Sequence, residues 1–323
     1  MADQNTILIT GSSGYLGNFL AVYFAKQGHK VIGLDLAPHP VVKDTPNFSF
    51  HVCDVRDKEK MLSIFKKEKP SHVIHLAYLM DPSHDAKLEY EVDVRGSQHT
   101  LECANETATV EQFIFFGSAS IYGAHEDNPV WFKEDSPLEP RDYTYAVHKK
   151  TVEGWYRAFQ KRKEMKLVIM RMCTAVGPSY YKKGGVVSSI AGAPFMAQIG
   201  PRRNAVQFIH EEDVNALVDQ IVNDAKVEDT FNLGPDSFAY ADEIAKALEK
   251  KVLRIPLFIM KTAFWLLWKL HLAAYTPSMA KIVAYPISAH PKKIMERYKY
   301  SFKYTSLEAL MDAIEKRREN GTL

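Results

Sequence analysis

Short continuous apolar runs alternate with amphipathic stretches from the start of the chain. Residues 6–10 enclose Ile7-Leu8-Ile9, and a helical pattern follows over 16–27. Further apolar runs stand at 31–34, 48–52, 73–76, 113–116 and 167–170, with helix-like stretches between them at 58–69, 96–105 and 147–163. Strands that are apolar on both faces belong to a parallel sheet covered by helices on both sides. The pattern therefore predicts an α/β fold with a doubly wound parallel sheet.

The alternation loosens after Gly177-Pro178. Residues 179–204 are rich in Gly, Pro and Lys, 206–210 and 231–233 read as returning strands, and the remainder is mostly helical. The expected division is a sheet domain of 1–178 plus 205–234 and a smaller, mostly helical lobe of 179–204 plus 235–323. Within that lobe, Lys261, Lys269 and His271 interrupt the apolar segment 257–275 too often for a spanning helix. At helical spacing Leu266, Leu267, Leu270 and Ala274 share one face, with Trp265, Trp268 and Leu272 opposite. The simpler expectation is that both faces are buried in the lobe. The alternative is a peripheral membrane contact or a lid over an apolar substrate.

Composition narrows the picture modestly. Of 323 residues, 46% are hydrophobic and 25% charged, as in ordinary globular proteins. A net charge of +2 supplies no field for nucleic acid, and the pairs Lys182-Lys183, Arg202-Arg203 and Lys292-Lys293 read as solvated surface. Cys53, Cys103 and Cys173 are widely spaced, which argues against a zinc site or a disulfide framework. The first strand follows the N-terminus too closely for a signal peptide, so a cytoplasmic location is expected.

Chemistry enters with Thr10-Gly11-Ser12-Ser13-Gly14-Tyr15-Leu16-Gly17, set between a strand and a helix. Gly11 permits the turn, Gly14 allows backbone to approach a pyrophosphate, and Gly17 allows close helix packing. The helix N-terminus offers N–H groups to the phosphates. Asp35, ending the next strand, is placed for the adenosine ribose hydroxyls, and no arginine follows it, so NAD is expected over NADP. Asp54 and Val55 are candidates for the adenine edge.

Ser118 and Ser120 end an apolar strand, and strand C-termini are where ligands bind in open parallel sheets. Tyr145 and Lys149 stand four apart and share a helical face. Together they form a site for moving a proton and a hydride. The Lys149 ammonium stabilises the Tyr145 phenolate, Ser118 holds the substrate oxygen, and Tyr145 transfers the proton. Tyr143 has Val147 at its i+4 position and lacks the lysine. His210-Glu211-Glu212-Asp213 begins like a zinc-protease helix, but Val214 stands where the second histidine belongs, so no metal is assigned.

These residues resemble the extended short-chain dehydrogenase/reductases, the NAD-dependent epimerase/dehydratase family. The resemblance also covers His75-Leu76-Ala77, Val94-Arg95-Gly96, Arg171 with Gly177-Pro178, Phe208-Ile209-His210, Asp213-Val214 and Phe231-Asn232-Leu233-Gly234. It implies a Rossmann domain, a C-terminal substrate lobe, Leu76 and Ala77 beside the cofactor, a homodimer, and small nucleotide-activated sugars as substrates. Ala119 and Ser120 replace the acid pair that dehydratases carry there. Thr174 replaces an asparagine and Val206 an arginine that contact substrate in epimerases. Arg202 and Arg203 are near enough in sequence to replace that arginine. The resulting expectation is a 4-epimerase-like enzyme on a nucleotide-sugar. Its alternatives are a net dehydrogenase of a hydroxysteroid-like or other apolar alcohol, and a non-catalytic cofactor-binding regulator.

Overall fold

Ile7, Leu8, Ile9 and Thr10 of β1 (Thr6–Thr10) are buried whichever face they point to, which a strand achieves only between two layers of helix. The computed structural model describes every residue except 1–3, 39–40, 42–43, 181–184 and 201, so the pair Lys182-Lys183 lies outside the described residues. From β1 the chain enters α1 (Tyr15–Lys26), then β2 (Lys30–Asp35), β3 (Phe48–Val52), α2 (Lys58–Glu68) and β4 (His72–His75). A short helix α3 (Ala86–Tyr90) passes through a wide π-turn, Glu91–Arg95, into α4 (Gly96–Glu106). Strand β5 (Gln112–Ser118), helix α5 (Thr144–Ala158), β6 (Lys166–Met172) and β7 (Thr174–Val176) follow.

The later elements are α6 (Gly185–Gly192), β8 (Phe195–Ile199), β9 (Ala205–Val206), β10 (Phe208–His210), α7 (Glu211–Val222), β11 (Thr230–Leu233) and β12 (Ala239–Tyr240). After them come α8 (Ala241–Ala247), β13 (Lys251–Ile255), α9 (Leu257–Lys269), α10 (Met279–Ala284), α11 (Lys292–Tyr298) and α12 (Ser306–Glu319). The main sheet has seven strands in the order β11-β6-β5-β4-β1-β2-β3. The pairs β1–β2, β1–β4, β2–β3 and β4–β5 are parallel. Strand order reverses between β1 and β4; in Rossmann-type sheets the crevice at the carboxyl ends beside such a reversal is where ligands bind.

The chain divides into two compact units, Met1–Gly117 with His148–Met170 and Asn215–Thr230, and Ser118–Val147 with Arg171–Val214 and Phe231–Leu323. The first is built on a buried cluster including Leu8, Ile32, Val73, Phe113, Phe115 and Tyr156. Helix α5 starts earlier and ends earlier than its periodicity predicts. Beyond Ala158, Arg162 draws the chain aside: its backbone N–H donates to Asn105 Oδ1 at 2.6 Å, and its guanidinium donates to the carbonyls of Asn105 (2.6 Å), Thr107 (2.9 Å) and Val110 (2.9 Å).

In the second unit the predicted returning strand 206–210 is two strands. β9 pairs antiparallel with β12, and β10 pairs parallel with β7. Gln207 separates them because its buried amide donates to Pro235 O (2.6 Å) and accepts from Ala289 N (2.9 Å). The final helix opens with a capping box from Thr305 and Glu308. The expectation that segment 257–275 is buried on both faces does not hold, since no residue of α9 is buried. Leu257, Met260, Phe264, Leu267 and Trp268 are half-buried, while Phe258, Ile259, Trp265, Leu266 and Leu270 are exposed. A helix that is apolar all round needs neighbours on every side, and this lobe covers one.

Candidate active site

The glycine loop is shaped by what it cannot carry. A Cβ on Gly11, whose φ is +71°, would lie 2.7 Å from Ala77 N. On Gly17 it would lie 2.1 Å from Gly11 O, so α1 can rest on the loop only without a side chain there. Gly14 is the N-cap of α1, and no acidic residue occupies the helix's first turn. The uncapped N-terminus and the close backbone turn fit a dinucleotide pyrophosphate.

The floor of this crevice is a locked hydrogen-bond chain. The Ser97 hydroxyl donates to Asp93 O, so its oxygen accepts from His75 Nε2 at 2.8 Å. His75 Nδ1 then accepts from Thr10 Oγ1 at 2.7 Å. Burial pushes the His75 imidazole down to about 3, aided by the nearby Lys149 charge, so the ring stays neutral and ties β1 to β4. Leu76 and Ala77 follow directly, half-buried beside Gly11.

Asp35 is held in place by its own backbone surroundings: Ser13 N donates to Oδ2 at 2.9 Å and Leu36 N to Oδ1 at 2.7 Å. The Ser13 hydroxyl donates to Ala37 O. Asp54 is engaged by Arg56, whose Nη2 donates at 2.6 Å, and these hydrogen bonds hold the Asp54 carboxyl below its usual range. Val55 is buried under Gly96, where an added Cβ would lie 2.5 Å from it. Tyr15 and Leu16, half-buried, form the first turn of α1.

Tyr145 and Lys149 lie one turn apart in α5. Lys149 is 4% exposed, donates from Nζ to Phe116 O at 2.7 Å, and stands 3.6 Å over the Tyr78 ring. Burial pushes its ammonium down to about 7, while Asp93 acts in the opposite direction. His148 Nδ1 lies 3.0 Å from Asp93 Oδ2, and the other oxygen of Asp93 accepts from Leu79 N at 2.9 Å. Asp93 thereby braces both the helix residue before Lys149 and the chain that carries Tyr78.

In the second unit, Ser118 ends β5 and accepts from Ser120 N at 3.2 Å, with the two hydroxyls 2.8 Å apart. The rings of Tyr143 and Tyr145 are 5.6 Å apart. In the same unit a buried network fixes the strand ends: Arg171 Nη1 donates to Tyr122 Oη at 2.9 Å and to Glu134 O at 2.8 Å, and Tyr122 donates to Asn232 Oδ1 at 2.6 Å. Thr174 is exposed on β7, and Val206 packs against an apolar cluster that includes Phe208, Ile244 and Leu310. Arg203 donates to Asp242 and Glu243, both at 2.9 Å, and covers the Tyr240 ring; Arg202 donates to Glu126 O. The two arginines are thus engaged in separate places, and His210 is occupied by Asp312 at 3.0 Å.

Tyr78, Asp93, Ser97 and the Phe116 carbonyl escaped the sequence reading. Tyr78 directly follows His75-Leu76-Ala77 and was within reach of that motif. Asp93 has no such marker, because a π-turn aims it inward and a periodic reading assumes an ordinary helix.

The profile of the NAD dependent epimerase/dehydratase family matches residues 7–234. Among curated relatives, the dTDP-D-glucose 4,6-dehydratase of Dictyostelium discoideum is 25% identical over 271 residues, covering 75% of this chain and 61% of that enzyme. UDP-glucose 4-epimerase 2 of Oryza sativa subsp. japonica is 26% identical over 297 residues, covering 79% of this chain and 71% of that enzyme. Among solved structures, the Bordetella bronchiseptica enzyme WbmG with NAD and UDP superposes with a TM-score of 0.80 at 18% identity, covering 99% of this chain and 97% of that one. The match supports the seven-stranded Rossmann-type architecture.

Proposed function

The chain belongs to the NAD-dependent epimerase/dehydratase family, and from that premise we propose that it interconverts a secondary alcohol and a ketone on a nucleotide-sugar, in the manner of a 4-epimerase. The observation that carries this reading is the buried Lys149, anchored on Phe116 O one helical turn from Tyr145. A lysine that gives up hydration to sit there has an electrostatic task.

NAD, held by Gly11, Ser13, Gly14, Tyr15, Leu16, Gly17, Asp35, Asp54, Val55, Leu76 and Ala77, supplies when bound the acceptor and donor of hydride. The chain's own residues manage the proton. Ser118 donates a hydrogen bond to the substrate oxygen, Tyr145 takes and returns the hydroxyl proton, and charged Lys149 stabilises the phenolate. Ala119 and Ser120 leave no acid pair for water elimination. The relatives named for UDP-glucose favour a UDP-sugar, with Ser120 and Thr174 as contacts; Arg202 and Arg203 reach its diphosphate only by leaving Glu126 O and the Asp242–Glu243 pair.

A second reading, a net dehydrogenase of an apolar alcohol, is favoured by Val206 lying in an apolar cluster and Arg203 being ion-paired. We read the enzyme as a homodimer by family analogy, and as cytoplasmic from its three unpaired, buried cysteines. The test is incubation with NAD and UDP-glucose or UDP-galactose, with products separated by chromatography. An epimer should form without NADH accumulating, and Tyr145→Phe should lower kcat by at least about a hundredfold with little change in NAD affinity. Steady NADH release from an apolar alcohol would replace this reading by the second. A Tyr145→Phe enzyme as fast as wild type would sink the proposed mechanism.

A further inference from the structure

Helix α9 combines two properties seldom found together at a protein surface. Its outer face is apolar: Phe258 is 70% exposed and Trp265 and Leu266 each 49%, with Leu270 at 55% and Leu272 at 69% just beyond its end. Val252 and Leu253 of the preceding strand β13 are exposed as well. The surrounding chain is uniformly basic. Residues 250–295 carry eight Lys/Arg, two His and no Asp or Glu. Removing those eight from the chain's 41 leaves 33 against 39 acidic residues, so the remainder has a net charge of −6. Lys281 is paired with Asp142 and Lys292 with Glu296, but among the described residues no ion pair holds Lys251, Arg254, Lys261 or Lys269.

We propose that the exposed face of α9, with the basic segment around it, binds the surface of an anionic lipid bilayer. Apolar side chains enter the headgroup boundary while lysines beside them meet lipid phosphates. Trp265 has the amphipathic ring that favours this boundary, and Lys269 Nζ stands 5.2 Å over it. The helix has 13 residues, and none among the described helices is long and apolar enough to cross a membrane, so α9 lies in the interface plane. A second copy of the chain is the poorer occupant, because a two-fold contact sets this basic segment against itself. The segment also lies beyond residue 234, where the family match ends, and the inference is independent of the reaction.

The test is co-sedimentation of the full-length protein with vesicles of phosphatidylcholine alone and of phosphatidylcholine mixed with phosphatidylglycerol. The mixed vesicles should bind at least about tenfold more protein. Phe258→Ser with Trp265→Ser and Leu272→Ser should remove most binding without lowering Tm. Lys261→Glu with Lys269→Glu, which leaves the apolar face intact, should abolish the preference for mixed vesicles. The proposal is overturned if neither vesicle binds or if both bind equally. It is likewise overturned if the serine variant loses only a concentration-dependent dimer in sedimentation, which would assign the face to a second copy.

Discussion

Strand β1 and helix α9 are both rich in large apolar residues, and they meet opposite environments. Ile7, Leu8 and Ile9 are fully buried, whereas no residue of α9 is. The strand has a parallel neighbour on each side and packing on both faces. The helix has cover on one side only. Apolar content therefore reports stability in one region and an unmet surface in the other, and only the neighbours distinguish them.

The sharpest way to break this comparison is to truncate on each side of it. Leu8→Ala should destabilise by about 2–5 kcal/mol, read as a shift in denaturant midpoint, because the cavity forms in a closed core. A loss under about 1 kcal/mol would mean the sheet interior is loosely packed. Next in size is Gly17→Ala, whose Cβ would fall 2.1 Å from Gly11 O. It should cost about 1–3 kcal/mol of stability and weaken NAD binding severalfold by calorimetry, since the loop must shift. Unchanged affinity would disconnect the loop from the cofactor.

The buried core also holds a charge, which pH exposes. The Lys149 pKa is lowered by burial from 10.5 to about 7. Between those values the folded protein binds fewer protons than the unfolded chain, so Lys149 makes stability rise with pH through this window. Below the folded value the desolvation penalty is fully present. In Lys149→Met the slope should fall, by up to about 1.4 kcal/mol per pH unit, when unfolding is followed from pH 7 upward. Identical slopes in both proteins would mean the lysine is better hydrated than its surroundings indicate. The smallest effect belongs to α9: Phe258→Ser should change stability by no more than about 0.5 kcal/mol. A loss comparable to Leu8→Ala would show that the helix face is covered in the folded protein.

Much of the fold was legible because its signals are local. The six strands from β1 to β6 lie on the apolar runs that predict them, and the glycine loop sits between β1 and α1. Tyr145 and Lys149 share α5 as their spacing requires. Legibility fails where a contact joins distant segments. Gln207 breaks a predicted strand because its amide reaches Pro235 and Ala289, and Arg162 ends α5 early by reaching Asn105 and Val110. Asp93, the brace behind Lys149, is invisible to periodicity because a π-turn aims it.

By itself the sequence determined the alternating strands and helices, the glycine positions that no side chain can fill, and the tyrosine–lysine spacing. Each depends on residues within a few positions of one another, where backbone sterics and helical period decide the outcome. Only the tertiary structure decided that Lys149 is buried against Phe116 and Tyr78, that Arg203 is spent on Asp242 and Glu243, and that α9 stays uncovered. Burial and charge pairing are set by whatever packs alongside, and those neighbours lie far away in the chain.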